Sequence, residues 1–168
     1  MSDSDLVRLY SGRILALAAD IPHLGRLEAP HGSARRRSPL CGSTVTADVR
    51  MRDGRVAEFA QDVKACALGQ AAAAIAGAQI IGRTRAEIEA ARDGLRAMLA
   101  GGPVPAAPFD ALEVLTPARE FRNRHASIML SFEAAADAIA AAVTGFFLFS
   151  EEKRTAPSGG RHAAISFR

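Results

Sequence analysis

The chain is poor in cysteine, with two thiols among its 168 residues. Two thiols cannot form a disulfide framework, so a reducing, cytosolic setting is the expectation. No basic, apolar and small-residue leader opens the chain, which points to the same compartment. Long apolar runs are lacking too. The longest weakly polar stretch, Ala138 to Phe149, contains Thr144 and Gly145. A spanning helix needs roughly 20 apolar residues, so no membrane crossing is expected. Charge of one sign is scarce: 21 basic against 18 acidic side chains leave a net +3, too little to mark a nucleic-acid binder. No glycine-rich loop joins a strand to a helix, and neither Gly-x-Ser-x-Gly nor His-Glu-x-x-His occurs, so nucleotide binding and the common hydrolase chemistries have no support. What is present, 49% hydrophobic and 23% charged residues, is the composition of one globular domain.

Periodicity divides the chain. Leu6, Leu9, Tyr10, Ile14, Leu17 and Ala18 recur at helical spacing and predict a helix from about Asp5 to Ala19, stopped by Pro22. The stretch from Leu24 to Pro39, rich in Gly, Pro, Ser and Arg, reads as a loop. After Cys41 the period becomes two, with Val45, Ala47, Val49 and Met51 on one face and Thr44, Thr46, Asp48 and Arg50 on the other. Asp53-Gly54 is a two-residue hairpin turn. Val56 and Phe59 belong to a second strand, and Asp62 to Ala65 form a candidate third. Alanine-rich Ala67 to Ile81 predicts a helix ending at Gly82. Thr84-Arg-Ala-Glu87 is a capping box opening another. A proline-bearing connector over 101–110 leads to a last helix, on which His125, Met129, Phe132, Ala136, Ile139 and Val143 form a narrow apolar stripe. Consecutive strands followed by helices argue for an α+β domain: a small antiparallel sheet of about three strands covered by helices. Residues 1–149 form the domain, and the polar segment 150–168 reads as a disordered tail.

The chemistry available is that of thiols and imidazoles. Cys41 lies at the mouth of the first strand, and Cys66 where the sheet gives way to a helix. A helix N-terminus stabilises a thiolate, and Lys64 pushes the same way; metal binding and nucleophilic attack both use this. His125 lies near the start of the last helix, on its apolar stripe. The separations from 41 to 66 and from 66 to 125 match no compact zinc finger, so the fold has to assemble any shared site. Small buried apolar cysteines, and a hydrogen-bonded core histidine at 125, remain open alternatives. His23, His31 and His162 read as surface residues. Arg35, Arg36 and Arg37 read as a solvated loop, with docking of an acidic partner also open.

Leu40-Cys41-Gly42-Ser43, a strand, Asp53-Gly54, a second strand, and Lys64-Ala65-Cys66-Ala67 resemble, in that order, the NifU N-terminal/IscU/SufU family of iron–sulfur cluster assembly scaffolds. Gly82-Arg-Thr84-Arg-Ala-Glu87 matches its capping segment. Arg122-Asn-Arg124-His125-Ala126 stands where the family carries Arg-x-Lys-Cys-Ala. The family's third cysteine therefore falls on His125, or on Ala126 where the histidine-cysteine variant is the better match. Its aspartate falls on Ser43, a poor neutral ligand. The resemblance implies a scaffold or carrier, not an enzyme. Cys41, Cys66 and His125 would hold iron, zinc or a transient [2Fe–2S] cluster. Sulfur would come from a cysteine desulfurase, with Cys66 as persulfide acceptor, and clusters would pass to recipient apo-proteins. Nucleic acid and membrane are not implied, and a homo-oligomer is left open. Two alternatives stay beside this: a degenerate member acting as an interaction or regulatory module without a cluster, and sulfur transfer onto Cys66 without metal.

Overall fold

The computed structural model describes Ser4, Val7 and residues 9–154, with side chains up to residue 145. Helix α1 spans Gly12–Ala19. The predicted helix is broken, not continuous: Ser4, Val7 and Leu9 are helical, Tyr10 is a turn, and the Ser11 hydroxyl accepts from Ile14 N–H and makes Ser11 the N-cap of Gly12–Ala19. Three strands follow, β1 Gly32–Arg37, β2 Thr44–Arg52 and β3 Arg55–Lys64, in the antiparallel order β1-β2-β3.

Two strand expectations change. The arginine run is an edge strand, not a loop: Arg35, Arg36 and Arg37 pair with Thr46, Val45 and Thr44. It carries no apolar alternation because its inner row is Gly32, Ala34 and Arg36, and Arg36 there pairs with Asp137. The candidate third strand over Asp62 to Ala65 is the end of one continuous strand, β3, paired with β2 as far as Thr44–Lys64. The hairpin turn is as expected, with Asp53 at φ 52° and Gly54 at φ 74°.

Helices α2 (Ala67–Gln79) and α3 (Arg85–Leu99) stand where the alanine run and the capping box place them. Both arms of that box form: Thr84 Oγ1 accepts from Glu87 N–H at 3.2 Å, and Glu87 Oε2 accepts from Thr84 N–H at 2.7 Å. A 3₁₀ segment, Asp110–Glu120, not apparent from periodicity, leads into α4, Arg122–Arg154.

Helix α4 is the centre of the molecule and packs on β1, β2, α2 and α3. Met129, Phe132, Ala136 and Ile139 of its stripe are buried. Arg122–Gly145 is long and apolar enough to cross a membrane, yet 67% of its most apolar window is covered by the protein. This is the pattern of a core helix with neighbours on most sides. The helix continues past Ser150 to Arg154, so the first residues of the expected tail belong to it; the rest of that tail lies outside the described residues.

Candidate cysteine–serine site

The β1–β2 hairpin closes through Ser38-Pro39-Leu40-Cys41-Gly42-Ser43. Ser38 N–H donates to the Ser43 carbonyl (2.8 Å) and Gly42 N–H to the Ser38 carbonyl (3.1 Å). Gly42 takes φ 71°, a conformation that suits glycine, and this turns the exposed Cys41 back toward the sheet end. Cys66 is the N-cap of α2, half-buried, with no side-chain capping bond. Ser127 comes from the first turns of α4 and is 1% exposed.

These residues form one hydrogen-bonded line. Cys41 Sγ lies 3.0 Å from Ser43 Oγ, Ser127 Oγ lies 3.2 Å from Ser43 Oγ, and Cys66 Sγ lies 3.5 Å from Ser127 Oγ. Each hydroxyl has one proton to donate, so the line can run in either direction. The lowered Cys41 pKa favours the one in which Cys66 donates to Ser127, Ser127 to Ser43 and Ser43 to Cys41, with Cys41 as the accepting end.

Ser38 adds to this. Its hydroxyl is fully buried and has no regular hydrogen-bond partner, yet it is the neighbour that most lowers the Cys41 pKa. Both facts follow from a hydroxyl beside the sulfur that gains a true acceptor once the thiol ionises. Ser38, the Ser43 hydroxyl and amide, and Ser127 together bring the Cys41 pKa from 9.0 down to about 7, against the opposing effect of burial.

Alkylation of Cys41 in the metal-free chain, followed in a Cys66→Ser background, is therefore expected to reach half its limiting rate near pH 7. The thiolate fraction at that pH is about one half, against about 1% for an unperturbed thiol of pKa 9.0. Ser38→Ala should move the midpoint upward. An unchanged midpoint would remove Ser38 from the site.

The third expected member is placed elsewhere. His125 Nε2 lies 2.8 Å from the Ala118 carbonyl oxygen. A carbonyl only accepts, so Nε2 carries a proton, and in the neutral ring the lone pair is on Nδ1. Among the described residues no group of three His, Cys, Asp or Glu side chains is close enough to hold a metal ion. The structure thus joins Cys41 to Cys66 through two serines and does not gather the full trio in this conformation.

Spacing and periodicity did not single out Ser38 or Ser127. The one available signal was a serine two residues past His125 in an otherwise alanine-rich helix.

No family model and no curated protein matches the chain. Solved structures do. The crystal structure of a nitrogen-fixing NifU-like protein (N-terminal) from Brucella abortus is 42% identical, with a TM-score of 0.81 over 83% of this chain and 98% of that one. The chain belongs to the NifU-like N-terminal family. Two more distant structures share the fold of this NifU-like domain. One is a protein from Fervidobacterium islandicum AW-1 assigned as an iron–sulfur cluster assembly scaffold for the SUF system, at 19% identity and a TM-score of 0.73 over 79% of this chain and 98% of that one. The other is a hypothetical protein at 21% identity and a TM-score of 0.71, over 80% and 98%.

Proposed function

We propose that this NifU-like domain is an iron–sulfur cluster assembly scaffold or carrier whose cargo is iron or a transient [2Fe–2S] cluster, with Cys41 and Cys66 as its sulfur ligands. The observation that carries the reading is the convergence of the two thiols, from separate elements, on the shared Ser43–Ser127 bridge in a chain of this family. Two thiolates suit iron, zinc or one edge of a cluster. Ser43 and Ala126 stand where the resemblance places an aspartate and, on one alignment, a thiol, so the chain holds its cargo with few bonds. His125, through Nδ1, is its remaining candidate for a third position. The other positions fall to a partner or a second copy, which suits cargo that must be handed on to an apo-protein. Both thiols are free, as a reducing compartment keeps them.

Anaerobic reconstitution with ferrous iron and sulfide is expected to give visible sulfur-to-iron charge-transfer absorption in the wild-type chain. Cys41→Ser and Cys66→Ser should each reduce bound iron by at least about tenfold, since each removes half of the thiolate set. Colourless wild-type protein, or stoichiometric iron in either variant, would overturn the ligand assignment.

A second reading is favoured by the direction of the hydrogen-bonded line: sulfur acceptance without metal, at Cys41 rather than at the expected Cys66. The Cys41 thiolate would attack the outer sulfur of a cysteine desulfurase persulfide. A new S–S bond forms on Cys41, the donor's S–S bond breaks, and the donor cysteine leaves as a thiolate, with no net redox change. Persulfide labelling that survives Cys66→Ser and is lost in Cys41→Ser supports it; the reverse pattern returns the role to Cys66.

A further inference from the structure

We infer that Ser127 is the positioning residue that makes a single site of the two thiols, by hydrogen-bonding to the Cys66 half and the Cys41 half at once. Its consequence for cargo rests on the scaffold reading, whereas the geometry belongs to the metal-free chain.

The two thiols come from elements that move independently in principle. Cys41 sits in an exposed hairpin loop with its own internal hydrogen bonds, and Cys66 caps α2. Ser127 belongs to a third element, α4, and touches both: Cys66 Sγ at 3.5 Å and Ser43 Oγ at 3.2 Å. A buried hydroxyl in an alanine-rich core helix is unfavourable unless its hydrogen bonds are made. Here they are made to the site and not to the helix backbone.

The approach of α2 to α4 is built around this hydroxyl. A Cβ on Gly69 would come within 2.8 Å of Ser127 Oγ and 3.0 Å of its carbonyl oxygen, so α2 can bring Cys66 this close only with glycine at that position. One turn further along α4, Ser131 is equally buried (1% exposed) and its hydroxyl has no partner, which makes it a matched comparison on the same helix.

Hydroxyl donors facing a thiolate fix its orientation and withdraw charge from its sulfur. Losing such an outer partner typically costs a metal site 10–100-fold in affinity. Where the resemblance places a charged aspartate, this chain has Ser43, so neutral hydroxyls are what hold the sulfurs.

The test compares Ser127→Ala with Ser131→Ala. In the metal-free chain, the yield of a Cys41–Cys66 cross-link formed by dibromobimane is expected to fall at least about threefold in Ser127→Ala and to stay at the wild-type level in Ser131→Ala. Cadmium, read by its thiolate charge-transfer band, should bind Ser127→Ala about tenfold more weakly and Ser131→Ala unchanged. A wild-type cross-link yield in Ser127→Ala, an equal loss in Ser131→Ala, or no cross-link in the wild-type chain would each overturn the inference. If the wild-type chain cross-links, loses the cross-link in Ser127→Ala and yet fails to bind cadmium through both thiols, the positioning role stands and the scaffold reading fails.

Discussion

Gly32→Ala is expected to destabilise the domain by about 3 kcal/mol or more, at the top of the range for overpacking a core contact. A Cβ on Gly32 would lie 2.0 Å from the Ala138 carbonyl oxygen, 2.5 Å from Ala142 N and 2.9 Å from Ala142 Cβ. Two of these are backbone atoms of α4, the most heavily packed element, so no side-chain rotation relieves the clash. Either β1 lifts off the helix or α4 shifts within the core. Lifting β1 also strains the Arg36–Asp137 pair and the β1–β2 hairpin that carries Cys41. For a chain of this size the loss corresponds to roughly 10 °C in melting temperature, measurable by circular dichroism. A loss below about 1 kcal/mol would mean that β1 is not seated on α4 as described.

Asp48→Ala is expected to cost about 1–3 kcal/mol, because the Ser33 hydroxyl and the Leu27 N–H lose their acceptor while the half-exposed Arg26 returns to water. The Asp48 side chain is fully buried. Its Oδ2 accepts from Arg26 Nε at 2.7 Å and Leu27 N–H at 3.1 Å, and its Oδ1 from Ser33 Oγ at 2.6 Å and Arg26 Nη2 at 3.1 Å. One carboxylate thus ties the segment after α1 to both β1 and β2. Burial pushes its pKa up, but the bonds from Arg26, Ser33 and Leu27 outweigh that and leave it below the ordinary value of 3.8. With the folded pKa depressed, the ionised group stabilises the fold fully above its unfolded pKa, and the contribution is lost as pH falls through the lower folded value. The gap in melting temperature between wild type and Asp48→Asn should therefore hold steady from pH 7 to about pH 5 and shrink below about pH 4. A gap that does not change with pH would show that the charge on Asp48 contributes nothing.

These two residues also show how far the sequence could be read. Gly32 lies inside a stretch whose composition reads as loop, because an edge strand packed against a helix backbone needs a small residue, not an apolar alternation. Asp48 lay on the polar face of a correctly phased strand, yet it is buried, because the loop carrying Arg26 and Leu27 closes over it. Local patterns do not record such long-range closures. By contrast, the Asp53-Gly54 turn, the Thr84–Glu87 box and the apolar stripe of α4 depend on residues a few positions apart, and all three are where the pattern places them.

Sequence alone was enough for the α+β class, the hairpin, the helix caps, the family resemblance and the two thiols proposed as ligands. Each follows from local propensity or short motifs. Tertiary structure alone decided that the arginine run is a strand, that His125 turns to the Ala118 carbonyl, and that Ser38, Ser43 and Ser127 surround the thiols. Those outcomes depend on which backbone and hydroxyl groups meet once α4 packs across the sheet, and residues 84 positions apart in the chain, such as Ser43 and Ser127, share a hydrogen bond only then.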